Sequence, residues 1–435
     1  MKALSLLVAA TLALAAPARA DEPEAFSVHG QTTYIRQLKP SFDSPYAGPH
    51  SLSGAREWSY SLTGTLNLGA RLPDGTEMYV DGEVVQGVAF SGLQGLAGFP
   101  NSELARTSGA DATFYLARLF VRHTFALGAE TEDVEAAADQ LASRYAKHRV
   151  VVTAGNVSVL DVFDANAYSH DGRTQFMNWS LATHGAWDYP ADSHGYTWGA
   201  AAEYFADGWS ARAGRFAQPR EPNGLRLDPR IFEHYGDAIE LARDYSWAAQ
   251  SGVVRLLAFR NRAVMARYDD ALALAATDMA APNLAAVRTA DQVKTGIGVS
   301  LEHRFSADLG FFARAMRADG QTETYAYTEI DSSASAGLSM SGARWGRTND
   351  TLGVAVACNA LSASHRRFLE DGGETFFLGD GRLSYRPEQI VEAYYSVQLR
   401  RGILLAFDYQ RIANPGYNSD RGPASFVAVR LHLER

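Results

Sequence analysis

From Val391 to Arg435 the chain alternates, residue by residue, between two rows of opposite character. Val391, Ala393, Tyr395, Val397 and Leu399 interleave with Glu392, Tyr394, Ser396, Gln398 and Arg400. After Arg401-Gly402, Ile403, Leu405, Phe407 and Tyr409 interleave with Leu404, Ala406, Asp408 and Gln410. Beyond a loop rich in Asn, Pro and Gly at 414–423, Val427, Val429, Leu431 and Leu433 interleave with Ala428, Arg430, His432 and Glu434. Period two means strands, because successive side chains leave opposite faces of a pleated backbone. The charges sit inside the alternation, not at its ends. A soluble sandwich turns such a polar row outward to water; a membrane barrel turns it inward to a wet lumen.

The N-terminus bears on that choice. Met1-Lys2 is followed by an apolar stretch from Ala3 to Ala16 and by Ala18-Arg19-Ala20, small residues at the spacing a signal peptidase reads. Residues 1–20 therefore read as a secretory signal, and 21–435 as the exported domain. The apolar stretch is shorter than the roughly 20 residues a spanning helix requires. A hydrophobic content of 46% and a mean hydropathy of −0.19 look soluble, but only every second residue of a barrel strand faces lipid. The 21 Phe, 20 Tyr and 7 Trp suit interfacial girdles. A single cysteine, Cys358, leaves no intrachain disulfide and no cysteine-based metal site. The net charge of −9 argues against nucleic acid as a partner.

The same rhythm runs through the rest. Strands are predicted over 26–34, 58–71, 77–84, 113–125, 149–156, 196–205, 209–216, 236–245, 252–260, 294–303, 309–318, 334–342 and 351–359, ahead of the final three. Alternation is smeared between 246 and 293. Glu130 to Lys147, rich in Ala and Glu with Leu141 and Tyr145, predicts one short helix. Short breaks at 73–75, 207–208, 305–308 and 401–402 alternate with long ones at 37–57, 158–194, 261–293 and 413–423. The expected fold is all-β: a transmembrane antiparallel β-barrel of about sixteen strands with long extracellular loops, one short periplasmic helix at 130–147 and both termini periplasmic. Barrels of this class commonly end in an aromatic residue; Arg435 stands there instead.

Six stretches in order carry a resemblance. They are Ser44-Pro45-Tyr46-Ala47-Gly48 with Ser51-Leu52, Gly98-Phe99-Pro100-Asn101, Asp161 to Asn166, Gln175 to Trp179, Gly185 to Pro190, and Asn414 to Pro423 followed by Arg430-Leu431-His432. With them the chain resembles the carbohydrate-selective, OprB-like porins over nearly the whole mature length. The resemblance implies a sixteen-stranded outer-membrane barrel of a Gram-negative bacterium, whose loops narrow the pore and which passes sugars by diffusion.

A sugar-selective constriction needs hydrogen-bond donors and acceptors together with an aromatic ledge. Arginine offers five fixed donors and carboxylates offer acceptors. Facing rows of both also order water across the pore. Glu77, Asp81 and Glu83, Arg118 and Arg122, and Arg212 supply such groups from strands. Each is read either as a sugar contact or as ordinary lumen lining. The loop from 158 to 194 is the expected constriction, being long and aromatic. Trp179 and Trp187 would stack on sugar rings, while Asp161, Asp164, Asn166, Asn178 and Asp188 would bond hydroxyls. The alternative is a loop packed by its own aromatics, its polar groups capping its own backbone.

Enzymatic readings find little. There is no G-x-S-x-G elbow and no H-E-x-x-H. Asp161 with Asp164 is a weak imitation of a paired-carboxylate hydrolase. His29, His123 and His303 read as lumen or rim residues. No cofactor, metal or catalytic residue is expected. The reading is a passive porin for carbohydrate uptake, with mono- or oligosaccharides, outer-membrane lipid and lipopolysaccharide, and the barrel-assembly machinery as partners. The alternative is a barrel exporting an extracellular polysaccharide, with periplasmic partners docking on the 130–147 helix.

Overall fold

A computed structural model describes residues 23–104 and 109–435; the expected signal segment lies outside them. The strands are β1 (Phe26–Lys39), β2 (Glu57–Arg71), β3 (Glu77–Val88), β4 (Thr113–Ala126), β5 (Thr131–Val134), β6 (Ser143–Ala146), β7 (Arg149–Val157), β8 (Thr197–Ala206) and β9 (Trp209–Ala217). They continue as β10 (Tyr235–Trp247), β11 (Gln250–Val264), β12 (Asp291–Arg304), β13 (Leu309–Ala318), β14 (Ser332–Gly342), β15 (Arg347–Ala360), β16 (Glu388–Arg400), β17 (Ile403–Ala413) and β18 (Ala424–Glu434). Every strand but β5 and β6 belongs to one closed antiparallel barrel of 16, each paired with its neighbour in sequence, and β18 returns to β1. Gln31 faces Glu434 across that seam and Leu38 faces Val427. Arg435 takes part through its backbone, exchanging two 2.9 Å hydrogen bonds with Gly30.

The two rows separate as the alternation requires. On β2, Trp58 and Leu66 are outward and exposed (48% and 43%), whereas Ser59, Ser61, Thr63, Thr65 and Asn67 are buried inside. On β16 to β18, Val391, Phe407, Val427 and Val429 are exposed while Glu392, Asp408, Gln410 and Arg430 are buried. An outward apolar row over a polar interior is the signature of a barrel whose solvent is hydrocarbon. The sixteen predicted strands and the sixteen barrel strands coincide, with shifts at their ends. Tight turns gather at one rim, where Gly208 and Gly402 adopt positive φ (72° and 73°) that a side chain would disfavour.

Two departures concern helices. The stretch 130–147 is not helical. β5 and β6 form a hairpin in which Asp133 pairs with Arg144 (2.7 Å) and Glu130 with Lys147 (2.5 Å). A lone short helix is marginal in water. Here Leu141 is fully buried and Tyr145 donates to Glu77, contacts that hold the chain extended and override its Ala/Glu composition. Conversely, the long breaks hold helices the alternation did not reveal: α1 (Trp179–Ala182), α2 (Tyr268–Asp278) and α3 (Ala363–Glu370).

Candidate functional site

The segment between β7 and β8 enters the barrel from the long-loop rim and lies against the inner wall. A capping box at Ser158 and Asp161 starts it. Its buried acids then bind distant backbone and base. Asp164 accepts from Arg314 (3.0 Å), Thr183 Oγ1 (2.7 Å) and the His184 N–H (3.1 Å), and its own N–H donates to Glu240 (2.8 Å). Asp188 accepts from the N–H groups of Tyr325, Ala326 and Tyr327 (2.9, 2.7 and 3.0 Å) and from Lys294 (3.2 Å). Asn166 accepts from the N–H groups of Tyr168 and Ser169 (3.0 and 3.3 Å). Asn178 caps α1 through Ser180 (2.9 Å) and donates to Gly98 and Gln410 (3.0 Å each).

The wall reciprocates. Glu392 accepts from the N–H groups of Met177 and Asn178 (2.6 and 3.0 Å), and Glu388 accepts from those of Ala97, Gly98 and Gly416 (3.2, 2.8 and 2.9 Å). Buried polar groups of this kind must be paired; Glu392 thereby positions the inserted loop, and Glu388 holds the β3–β4 and β17–β18 connections beside it.

These contacts correct the expected roles. Trp179 and Trp187 are 5% and 0% exposed. Trp179 stacks on Tyr327 at 5.5 Å and donates to the Asn101 carbonyl (2.9 Å). Trp187 meets Phe163 and Tyr189 edge-on. Neither ring is free to stack on a passing sugar. Asp164, Asn166, Asn178 and Asp188 are likewise occupied by the protein itself, the packed-loop alternative. Asp161 differs: it stays partly exposed and makes a forked pair with Arg118, 2.7 Å at both nitrogens.

The loop covers one side of the lumen. Most inward residues of β13 to β18 and of β1 and β2 are buried, Arg314, Glu392, Gln410 and Arg430 among them. Partial exposure survives on the opposite wall. Arg118 of β4 and Arg212 of β9 on that wall, and Arg173 of the inserted loop itself, are each held between carboxylates. Arg118 bonds Asp81 (3.1 Å) and Asp161 (2.7 Å), Arg173 bonds Glu83 (3.1 Å) and Glu103 (2.8 Å), and Arg212 bonds Glu203 and Glu240 (2.8 Å each). Their side chains remain 15%, 15% and 12% exposed. Arg122 donates to the Asp139 carbonyl (2.8 Å) and lies 5.2 Å from the Tyr79 ring; Glu77 accepts from Tyr79 (2.8 Å) and Arg71 (3.0 Å). Beside Arg118, Tyr115 stacks on His194 at 4.0 Å, and Tyr196 lies 5.2 Å from the guanidinium.

The family model for the carbohydrate-selective porins, OprB family, matches residues 50–434. The chain belongs to the OprB family of carbohydrate-selective porins. The porin is similar to the high-pH structure of Pseudomonas putida OprB, at 15% identity over 94% of each chain with a TM-score of 0.71. It is also similar to the outer membrane channel DcaP of Acinetobacter baumannii, at 8% identity over 94% of this chain and 97% of that one, TM-score 0.51. At these identities the likeness is one of fold. No curated protein matches the chain.

Sequence reasoning missed Arg173, Glu103, Glu203, Glu240 and the Tyr115–His194–Tyr196 group. The ladder brings Glu203, Arg212 and Glu240 together across β8, β9 and β10, a placement that strand order and period two allow one to reconstruct. Arg173 and Glu103 sit in separate loops and carry no local signal. Tyr115 turns inward because the register between β3 and β4 shifts at Asp81 and Gly82, which strict alternation does not show.

The buried loop centre carries a pH dependence. Burial raises the Asp164 carboxyl, but Arg314 and His184 outweigh it and hold the group at about 2. Burial drives the His184 imidazole down to about 4, against the pull of Asp164. An unseated loop takes up a proton on His184 below its ordinary 6.5, whereas the seated loop resists until about 4. Seating therefore weakens as pH falls through that window, by up to about 3 kcal/mol. Asp164 contributes above the ordinary carboxylate range and loses its share only lower, toward about 2. Single-channel recordings from pH 7 to 4 should show rising current noise and conductance in the native porin. His184→Gln should flatten that response.

Proposed function

We propose that this porin takes up mono- or oligosaccharides by passive diffusion through an eyelet between the inserted loop and the β4–β9 wall. Arg118, Asp161, Arg173 and Arg212 line that path, with Arg122, Asp81, Glu83 and Glu77 behind them. Fixed guanidinium donors beside carboxylate acceptors match the hydroxyls of a neutral sugar. In the outer membrane the long-loop rim would face outward and the hairpin rim the periplasm, with lipid and lipopolysaccharide on the outward row. Selectivity comes from pore width and lining and calls for no bond-making step.

The observation that carries this reading is the set of partly exposed arginines clamped between acids, Arg118 and Arg212 on the wall the loop leaves uncovered and Arg173 on the loop itself. The test is ion-current block in a planar bilayer. Mono- and disaccharides at millimolar concentration should reduce the open current in a saturable way. Block confined to long polymers would instead favour polysaccharide export, and the absence of any sugar block would remove the sugar-selective eyelet.

A further inference from the structure

The β5–β6 hairpin does not hang free below the barrel. Leu141 is fully buried, and its N–H donates to the hydroxyl of Tyr79, an inward residue of β3 (3.0 Å). Tyr145 donates to Glu77, the next inward residue. Ala142 exchanges hydrogen bonds with Glu24 (3.0 Å to its carboxylate and 2.9 Å from its N–H). The hairpin tip goes further. The Asp139 carbonyl accepts from Arg122 (2.8 Å), and its carboxylate lies 3.6 Å from Arg118 Nε. Arg118 lies near the middle of β4, far from the rim where the hairpin leaves the barrel. The same guanidinium binds Asp161 of the loop inserted from the opposite rim. Two segments entering from opposite mouths thus meet at one side chain.

We propose that the β5–β6 hairpin is the exit-side half of the constriction, and that Asp139 is a selectivity-determining residue. The proposal rests on the reading of the lumen as a diffusion path. Three carboxylates, Asp81, Asp139 and Asp161, surround a single Arg118. Asp81 is fixed on the barrel strand β3, whereas Asp139, on the exit side, is supplied by an element that can withdraw without breaking the barrel ladder, since β5 and β6 form a separate two-stranded sheet. With the hairpin seated, the eyelet is narrow and carries an added negative charge. With it withdrawn, the exit opens and Arg118 and Arg122 lose a partner. An anion or an acidic sugar then meets less repulsion, and a neutral sugar is held less closely.

The test uses the full-length porin in planar bilayers under a KCl gradient. Replacing 131–146 with a short Gly-Ser turn should raise single-channel conductance at least about two-fold. Asp139→Asn keeps the volume and removes the charge. It should move the reversal potential toward anions and weaken sugar block about three-fold. Should the shortened variant fail to give a heat-modifiable barrel, Asp139→Asn alone decides. A native channel that conducts and is blocked by sugar, alongside an Asp139→Asn channel with native reversal potential and block, overturns the hairpin's role and leaves the porin reading standing. A native protein that passes no current overturns both.

Discussion

Replacing Asp164 with alanine is expected to unseat the inserted loop while leaving the barrel closed. Arg314 is 1% exposed and its Nε bonds Asp164 at 3.0 Å. Removing the carboxylate strands a buried guanidinium, a loss of about 3–5 kcal/mol where such pairs are broken from one side. The remaining Arg314 bonds, to the carbonyls of Leu181 (3.0 Å) and Ser169 (2.6 Å), satisfy hydrogens but not charge. The Thr183 hydroxyl and the His184 N–H lose their acceptor as well. The barrel ladder does not include these groups, so the sheet should stay intact on a heat-modifiability gel. Conductance should rise several-fold, sugar block should largely vanish, and the loop should become sensitive to protease. Asp164→Asn, which keeps an acceptor but not the charge, should fall between. A variant with native conductance and an intact loop would show that the carboxylate is dispensable for seating.

The second large effect lies on the exposed wall. Arg118→Ala together with Arg122→Ala removes the guanidinium of the proposed eyelet and the one behind it, and leaves Asp81, Asp139 and Asp161 facing one another. Two changes follow. The narrowest section widens, by roughly two-fold in conductance, and the reversal potential moves toward cations as uncompensated negative charge dominates the eyelet. Discrimination between mono- and disaccharides should fall. Because Arg118 joins the inserted loop to the hairpin, the single Arg118→Ala variant should account for most of the change. Arg122, which donates to the backbone carbonyl of Asp139, should contribute less. Unchanged conductance and selectivity in the double variant would remove both residues from the eyelet.

The expected sites were read unevenly, for a physical reason. Glu77, Asp81, Glu83, Arg118, Arg122 and Arg212 were legible as inward residues because strand alternation assigns a face to each side chain. Within the inserted loop no such rule operates. Trp179 and Asp161 look equally available in the sequence, yet one is packed on Tyr327 and the other meets Arg118 in the lumen. What separates them is the partner each finds across 148 or 43 residues of chain. The hairpin teaches the same lesson in reverse: local composition favoured a helix, and Tyr79 and Glu77, more than fifty residues upstream, held it extended.

By itself the sequence determined that this chain closes as a sixteen-stranded barrel, which row meets lipid and at which rim the loops are long. Those properties follow from period-two alternation and from where it breaks, and both are local. Only the tertiary structure decided which polar groups remain available to a solute. A buried acid is spent on whichever backbone N–H or arginine the fold brings to it, as Asp188 is on residues 325–327 and Glu392 on Met177 and Asn178. The groups left facing water are those for which folding supplied an incomplete enclosure, and that remainder depends on every long-range contact at once.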